Sequence, residues 1–251
     1  MNRILFEESE IVDGIATFGG ERADHVLDVL HGEVGQVLKT GVVDGLIGTS
    51  EIVSIGRDEA TGERIVSAKL DHRFESLRPW VDLILAPPRP RVLKRLLPQL
   101  TAMGVGRIVL VGARKVEKDF WGATLLKPEI YRPLLVEGLM QSGTSILPEI
   151  VLKRGFRRFL SDDLDVMFPS RRRVVAHPYG AEGAPSQADG EPDGRLLLAV
   201  GPEGGWTDEE VALLESHGFS RYSLGGRILR TDTALIALLA RLSPTASGFM
   251  V

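Results

Sequence analysis

The sequence predicts an α/β protein in two parts, a small strand-rich unit over residues 1–73 and a larger α/β unit over 74–251. Three observations predict it. Short strand-like runs separated by turn signals fill the N-terminal part, the pattern of a small barrel. From Trp80 onward apolar runs alternate with helical stretches, the pattern of a parallel sheet covered by helices. Near the C-terminus, two apolar runs each end in a glycine-containing turn that leads into a helix.

In the N-terminal unit, residues 3–6 read as a strand and 23–30 as a short helix with Asp24 near its start. Residues 35–40 read as a strand, Asp44-Gly45 as a turn, and 48–54 and 64–70 as further strands around the polar spacer 56–62. The charged, proline-containing stretch 75–79 is the predicted linker.

Residues 80–85 form an apolar strand that Pro87-Pro88-Arg89-Pro90 stops. Residues 92–103 have helical period, with Leu93, Leu96, Leu97 and Leu100 on one side, and Pro98 predicts a kink or a local break. A strand at 107–111 follows, then a helical stretch at 127–142 with an interruption expected at Pro133, and a short helical segment at 156–162. Residues 173–177 read as a strand ending in His177-Pro178, and the small, acidic, proline-rich residues 180–194 as a mobile surface loop.

Leu196–Val200 is an unbroken apolar run, as expected of a strand buried on both faces. Gly201-Pro202-Glu203-Gly204-Gly205 cannot continue it. Thr207 with Glu210 three residues on is a capping box, predicting a helix to about His217 that Gly218 ends. Residues 219–224 are a further strand, broken by Gly225-Gly226, and Thr231 or Thr233 is the expected cap of the apolar segment 234–242. Two such turns, rich in backbone N–H groups and poor in side-chain bulk, would form a cleft at strand ends where a flat polar ligand can approach the main chain. By spacing alone, two plain turns with no ligand remain an equal alternative.

Composition excludes several classes. Of 251 residues, 43% are hydrophobic, enough for a core, and the absence of cysteine rules out disulfides and thiolate metal sites. The acidic N-terminus does not read as a signal peptide, and no run approaches the ~20 apolar residues of a membrane span. A net charge of −4 counts against non-specific nucleic-acid binding, although basic residues cluster at Arg89, Arg91, Lys94 and Arg95, at Arg114, Lys115 and Lys118, at Lys153, Arg154, Arg157 and Arg158, and at Arg171, Arg172 and Arg173. Each cluster alone reads equally as a solvated face. There is no phosphate loop, dinucleotide fingerprint, H-E-x-x-H or nucleophile elbow, and the five histidines are scattered, so no metal site is expected.

The two C-terminal stretches, G-P-E-G-G-W-T-D-E-E at 201–210 and L-G-G-R-I-L-R-T-D-T-A at 224–234, together closely resemble the paired motifs of the RsmE family. Further matches are the join Gly104-Val105-Gly106, then Glu137, Gln141, Pro148 and Glu149, and His177-Pro178; His31, Ala102, Thr144 and Asp232 depart from the family's usual residues. The resemblance is specific from Ala199 onward, moderate over 80–150 and weak in the N-terminal unit. It implies a SPOUT-type trefoil-knotted α/β domain preceded by a small PUA-like β-barrel that helps to hold RNA. It implies a cytoplasmic homodimer with the knot region at the interface, using S-adenosylmethionine to methylate N3 of a uridine in 16S rRNA of the small ribosomal subunit.

By resemblance the cofactor is held mostly by main chain, at Ala176, His177 and Pro178, at Val200, Gly201, Glu203, Gly204 and Gly205, and at Leu224, Gly225, Gly226, Ile228, Leu229 and Thr231. Methyl transfer is chiefly a positioning task, and uracil N3 must lose a proton, so the site should stabilise a developing anion. Arg230 is the candidate for that charge and Glu203 for positioning groups. A salt bridge for Arg230, and acceptance of loop N–H bonds by Glu203, are the structural alternatives; a purely structural His177 is another. The same fold acting on a different RNA, or a non-catalytic RNA-binding assembly factor, are the competing functions.

Overall fold

The computed structural model describes residues 2–169, 171–179 and 195–244, so the expected surface loop at 180–194 lies outside the described residues. The chain forms two compact units, Met1–Leu77 with Leu135–Leu147, and Arg78–Leu134 with Pro148–Val251.

The first unit contains β1 (Ile4–Phe6), β2 (Ile11–Val12), β3 (Ile15–Phe18), β4 (Val37–Val42), β5 (Ile47–Arg57) and β6 (Arg64–Phe74) in one curled sheet of order β1-β4-β5-β6-β3-β2. The β1–β4 pairing is parallel and the others are antiparallel. Alternation along these strands sends Ile4, Phe6, Phe18, Leu38, Ile52 and Val66 into one core, each buried side chain contributing about 1.5–3 kcal/mol. The β2–β3 hairpin was not predicted; its two strands are very short, and Asp13 and Gly14 turn between them with φ of 51° and 76°. The expected helix begins earlier, as α1 (Gly20–Asp24), and continues as a π-helical turn over His25–Val29.

Residues 135–147 complete this unit. Leu139 and Met140 pack on Leu5, and Arg3 donates to the carbonyls of Gly143 at 2.9 Å, Thr40 at 2.7 Å and Gly48 at 2.9 Å. His72 Nε2 lies 2.8 Å from the Thr40 hydroxyl. Burial, and then the charge of Arg3, hold the His72 imidazole below its ordinary pKa, against the pull of Asp71. A depressed histidine supplies stability that is present above about pH 6.5 and lost as pH falls through the lower folded value. We therefore expect urea midpoints to fall more between pH 7.5 and pH 5 for the wild type than for His72→Gln.

The second unit is built on β7 (Val81–Leu85), β8 (Val105–Val111), β9 (Glu149–Lys153), β10 (Arg172–Ala176), β11 (Leu196–Val200) and β12 (Ser220–Tyr222), all parallel, in the order β12-β10-β11-β7-β8-β9. Every residue of β7 and β11 is buried. Its helices are α2 (Pro90–Ala102), the short α4 (Phe156–Arg158) and α5 (Leu164–Met167), α6 (Asp208–Ser216) and α7 (Thr231–Leu242), while α3 (Pro128–Ser142) begins in this unit and from Leu135 belongs to the first. One face of the sheet packs Ile84, Val109, Val175, Leu197 and Ala199 against Phe156, Phe159, Leu164 and Trp206.

Three expectations need correction. Helix α2 continues through Pro98 without a local break, and α3 through Pro133 without an interruption. In α2 the lost N–H bond is outweighed by burial of Leu93, Leu96, Leu97 and Leu100 along one stripe. Neither Thr231 nor Thr233 caps α7: Arg230 is the N-cap residue without a side-chain cap bond, and Thr231 is already helical and buried. The capping box at α6 forms as read, with Glu210 N–H donating to Thr207 Oγ1 and Thr207 N–H donating to Glu210 Oε2.

Candidate functional site

Because β10, β11 and β12 are parallel neighbours, the segments that leave them emerge at one edge of the sheet. Together with the start of α7 they enclose a cavity of about 430 Å³, within the range of small-molecule sites. Its walls are Ala176–Tyr179 after β10, Val200–Trp206 after β11, and Tyr222–Gly225 with Arg227–Leu229 after β12, joined by Thr231, Ala234 and Leu238 of α7. Lys115 and Asp208 also reach it.

All of the cofactor positions named from the sequence line this cavity except Gly226. Of the two catalytic candidates, Glu203 lines it, whereas Arg230 does not and is exposed at the start of α7. Glu203 Oε1 accepts the Arg89 backbone N–H at 3.0 Å. His177 Nδ1 lies 2.9 Å from the carbonyl oxygen of Tyr179 and 3.3 Å from its backbone nitrogen. Lys115, Trp206, Asp208, Tyr222, Ser223 and Arg227 line the cavity and were not among the cofactor positions named individually from the sequence. Trp206 and Asp208 stand inside the first motif and Arg227 inside the second, so reading the motifs as whole wall segments would have found them. Lys115 stood out only as one of the basic cluster Arg114, Lys115 and Lys118.

Whether a nucleoside-like cofactor suits these walls can be judged from the loops. At Gly205, Gly225 and Gly226 an added Cβ would meet nothing within 4 Å, so the main chain there faces open space. Gly205 and Gly225 have φ of 68° and 107°, which side chains oppose. At Gly201 an added Cβ would stand 2.9 Å from the Trp206 nitrogen, so the loop closes on itself only with glycine there. The Trp206 ring is buried, stacked on Phe156 at 5.2 Å, and its Nε1 has no partner among the described residues. Open backbone, apolar walls from Leu224, Ile228 and Leu238, and a spare donor fit a flat, polar molecule.

The sheet and the cleft lie in an RNA methyltransferase domain: the model of that family (Methyltrans_RNA) matches residues 75–243. The ribosomal RNA small subunit methyltransferase E of Treponema pallidum is 31% identical over 96% of this chain and 90% of its own. The enzyme of that name from Bacillus subtilis is 25% identical over 89% and 88%. The chain belongs to the ribosomal RNA small subunit methyltransferase E family. Among solved structures it has the fold of that enzyme from Neisseria gonorrhoeae bound to S-adenosylmethionine, at 22% identity, 96% of each chain and a TM-score of 0.73. A methyltransferase of Legionella pneumophila with bound S-adenosylmethionine gives a TM-score of 0.73 at 24% identity over 96% of each chain. Among the described residues no helix is long and apolar enough to cross a membrane.

Proposed function

We propose that this protein methylates N3 of one uridine in 16S rRNA of the small ribosomal subunit, using S-adenosylmethionine. The observation that carries the reading is the cavity, whose walls are the two paired family motifs brought together at the ends of neighbouring strands. S-adenosylmethionine, when bound, supplies an electrophilic methyl group. The glycine turns at 201–205 and at Gly225 would hold it by main chain, as would Ala176–Pro178, and Leu224, Ile228 and Leu229 would keep water from it. Glu203, tied to the Arg89 N–H, shapes this wall rather than moving a proton.

Arg230, next to the cavity-lining Leu229 and Thr231, would meet the uracil as negative charge grows on it. The N-terminal unit would serve as a PUA-like RNA-holding domain over residues 1–73, and the working form would be a cytoplasmic homodimer. The test is mass mapping of small-subunit rRNA from cells with and without the gene. One uridine lighter by one methyl group in the deletion strain, restored by the gene, is the expected result; unchanged 16S rRNA would overturn it.

A further inference from the structure

One contact at the glycine turn after β11 is not used by the proposed function. Lys115, in the segment after β8, reaches across to the turn after β11. Its Nζ donates to the carbonyl of Gly204 at 2.7 Å. Its aliphatic stem lies against the same residue: a Cβ built on Gly204 would stand 2.9 Å from Lys115 Cδ and 3.3 Å from its Cβ. The side chain also lines the cavity.

The peptide between Gly204 and Gly205 is thereby held at both ends. Its N–H donates to the carbonyl of Pro202 at 2.8 Å, and its carbonyl accepts from Lys115. Two consecutive glycines have the loosest backbone a chain can have, and nothing in their side chains opposes a flip of that peptide. The turn's other ties lie on either side of it. Glu203 accepts from Arg89, and Glu210 accepts the Arg114 N–H at 2.7 Å, next door to Lys115. At the flexible centre of the turn, the Gly204 carbonyl has the ammonium group as its partner.

We propose that Lys115 is a positioning residue for the cofactor wall: it fixes the Gly204–Gly205 peptide before the cofactor arrives, so that the cofactor does not have to order it. The inference rests on the cavity being the S-adenosylmethionine site. A hydrogen bond to a charged donor that preorganises a binding loop contributes at the level of several-fold in affinity. The ammonium acts through the turn and not on the ligand's own carboxylate.

The test uses the full chain as wild type, Lys115→Met and Lys115→Arg. In the free protein, hydrogen exchange at the Gly205 amide is expected to speed up about 10-fold in Lys115→Met and to return towards wild type in Lys115→Arg, whose guanidinium can also reach the carbonyl. In calorimetry, Lys115→Met is expected to bind S-adenosylmethionine and 5′-methylthioadenosine, which lacks the amino-acid end, about 5- to 10-fold more weakly, by the same factor for both. Unchanged exchange at Gly205 would overturn the proposal, and that readout needs no ligand. A loss for S-adenosylmethionine alone would also overturn it, because it would make Lys115 a direct carboxylate contact. Failure of the wild type to bind either ligand would instead count against the cofactor reading, leaving the exchange experiment to decide the role of Lys115.

Discussion

Arg230→Ala is expected to lower kcat for methylation of small ribosomal subunits about 100- to 1000-fold, the usual cost of removing one preorganised donor from a developing anion. Binding of S-adenosylmethionine should stay within about twofold of wild type, because Arg230 does not line the cavity. The expectation rests on the proposed role of Arg230 towards the substrate. The residue is exposed, makes no ion pair among the described residues, and sits at the junction between the second motif and α7. Its side chain makes no cap bond, and its own carbonyl accepts from Ala234 N at 2.8 Å. Truncation therefore leaves the helix start intact, which separates a catalytic loss from a folding loss. Arg230→Lys should recover part of the rate, since it keeps the charge and loses the planar fork. Single-turnover methyl transfer together with calorimetry checks both halves of the expectation; equal losses in rate and in cofactor affinity would point to a wall residue instead.

Asp82→Ala should destabilise the second unit by about 3–5 kcal/mol, the range found when one partner of a buried charge cluster is removed. Asp82 sits on the central strand β7 and is 1% exposed. Its carboxylate faces Arg195 at 3.4 Å and Arg171 at 3.7 Å, the residues that lead into β11 and β10. Gly106 leaves room for the cluster, since a Cβ there would lie 3.0 Å from Arg195 Nη1 and 3.1 Å from Asp82 Oδ1. Burial raises the Asp82 pKa, and the attraction of Arg195, Arg171 and Arg107 only partly offsets it. A raised carboxyl contributes stability that is fully present below its unfolded pKa of about 3.9 and is lost as pH rises through the folded value. Asp82→Asn, which resembles the neutral acid, should thus cost less than Asp82→Ala at pH 7, and its difference from wild type should change as the pH is lowered towards 4. Urea denaturation followed by circular dichroism at the two pH values measures both; an Asp82→Ala protein as stable as wild type would show that the cluster does not hold the strands.

How far this protein could be read in advance depended on whether a signal was local. Leu196–Val200 announced a doubly buried strand because five consecutive apolar residues have no polar face to turn outward, and the strand has the bounds that were read. Thr207 and Glu210 announced the start of α6 because a capping box closes within four residues. Strand β9 was missed: it lies at the edge of the sheet, its residues are only partly buried or exposed, and its apolar run is just Ile150–Leu152 between Glu149 and Lys153. The two prolines within α2 and α3 misled for the opposite reason, since a local breaker was overridden by side-chain burial that only the packed structure supplies.

Local patterns in the sequence carried the α/β class and the capping of α6, and the paired glycine motifs, through their resemblance to a known family, marked the wall segments of the cavity. The sequence by itself could not show that Lys115 holds Gly204 across 89 positions, that Glu203 answers to a backbone N–H at Arg89, or that Asp82 gathers arginines from the starts of two other strands. Those are contacts between residues distant in the chain. Their partners are chosen by the order of strands in the sheet, and strand order arises only when the whole apolar surface is buried at once.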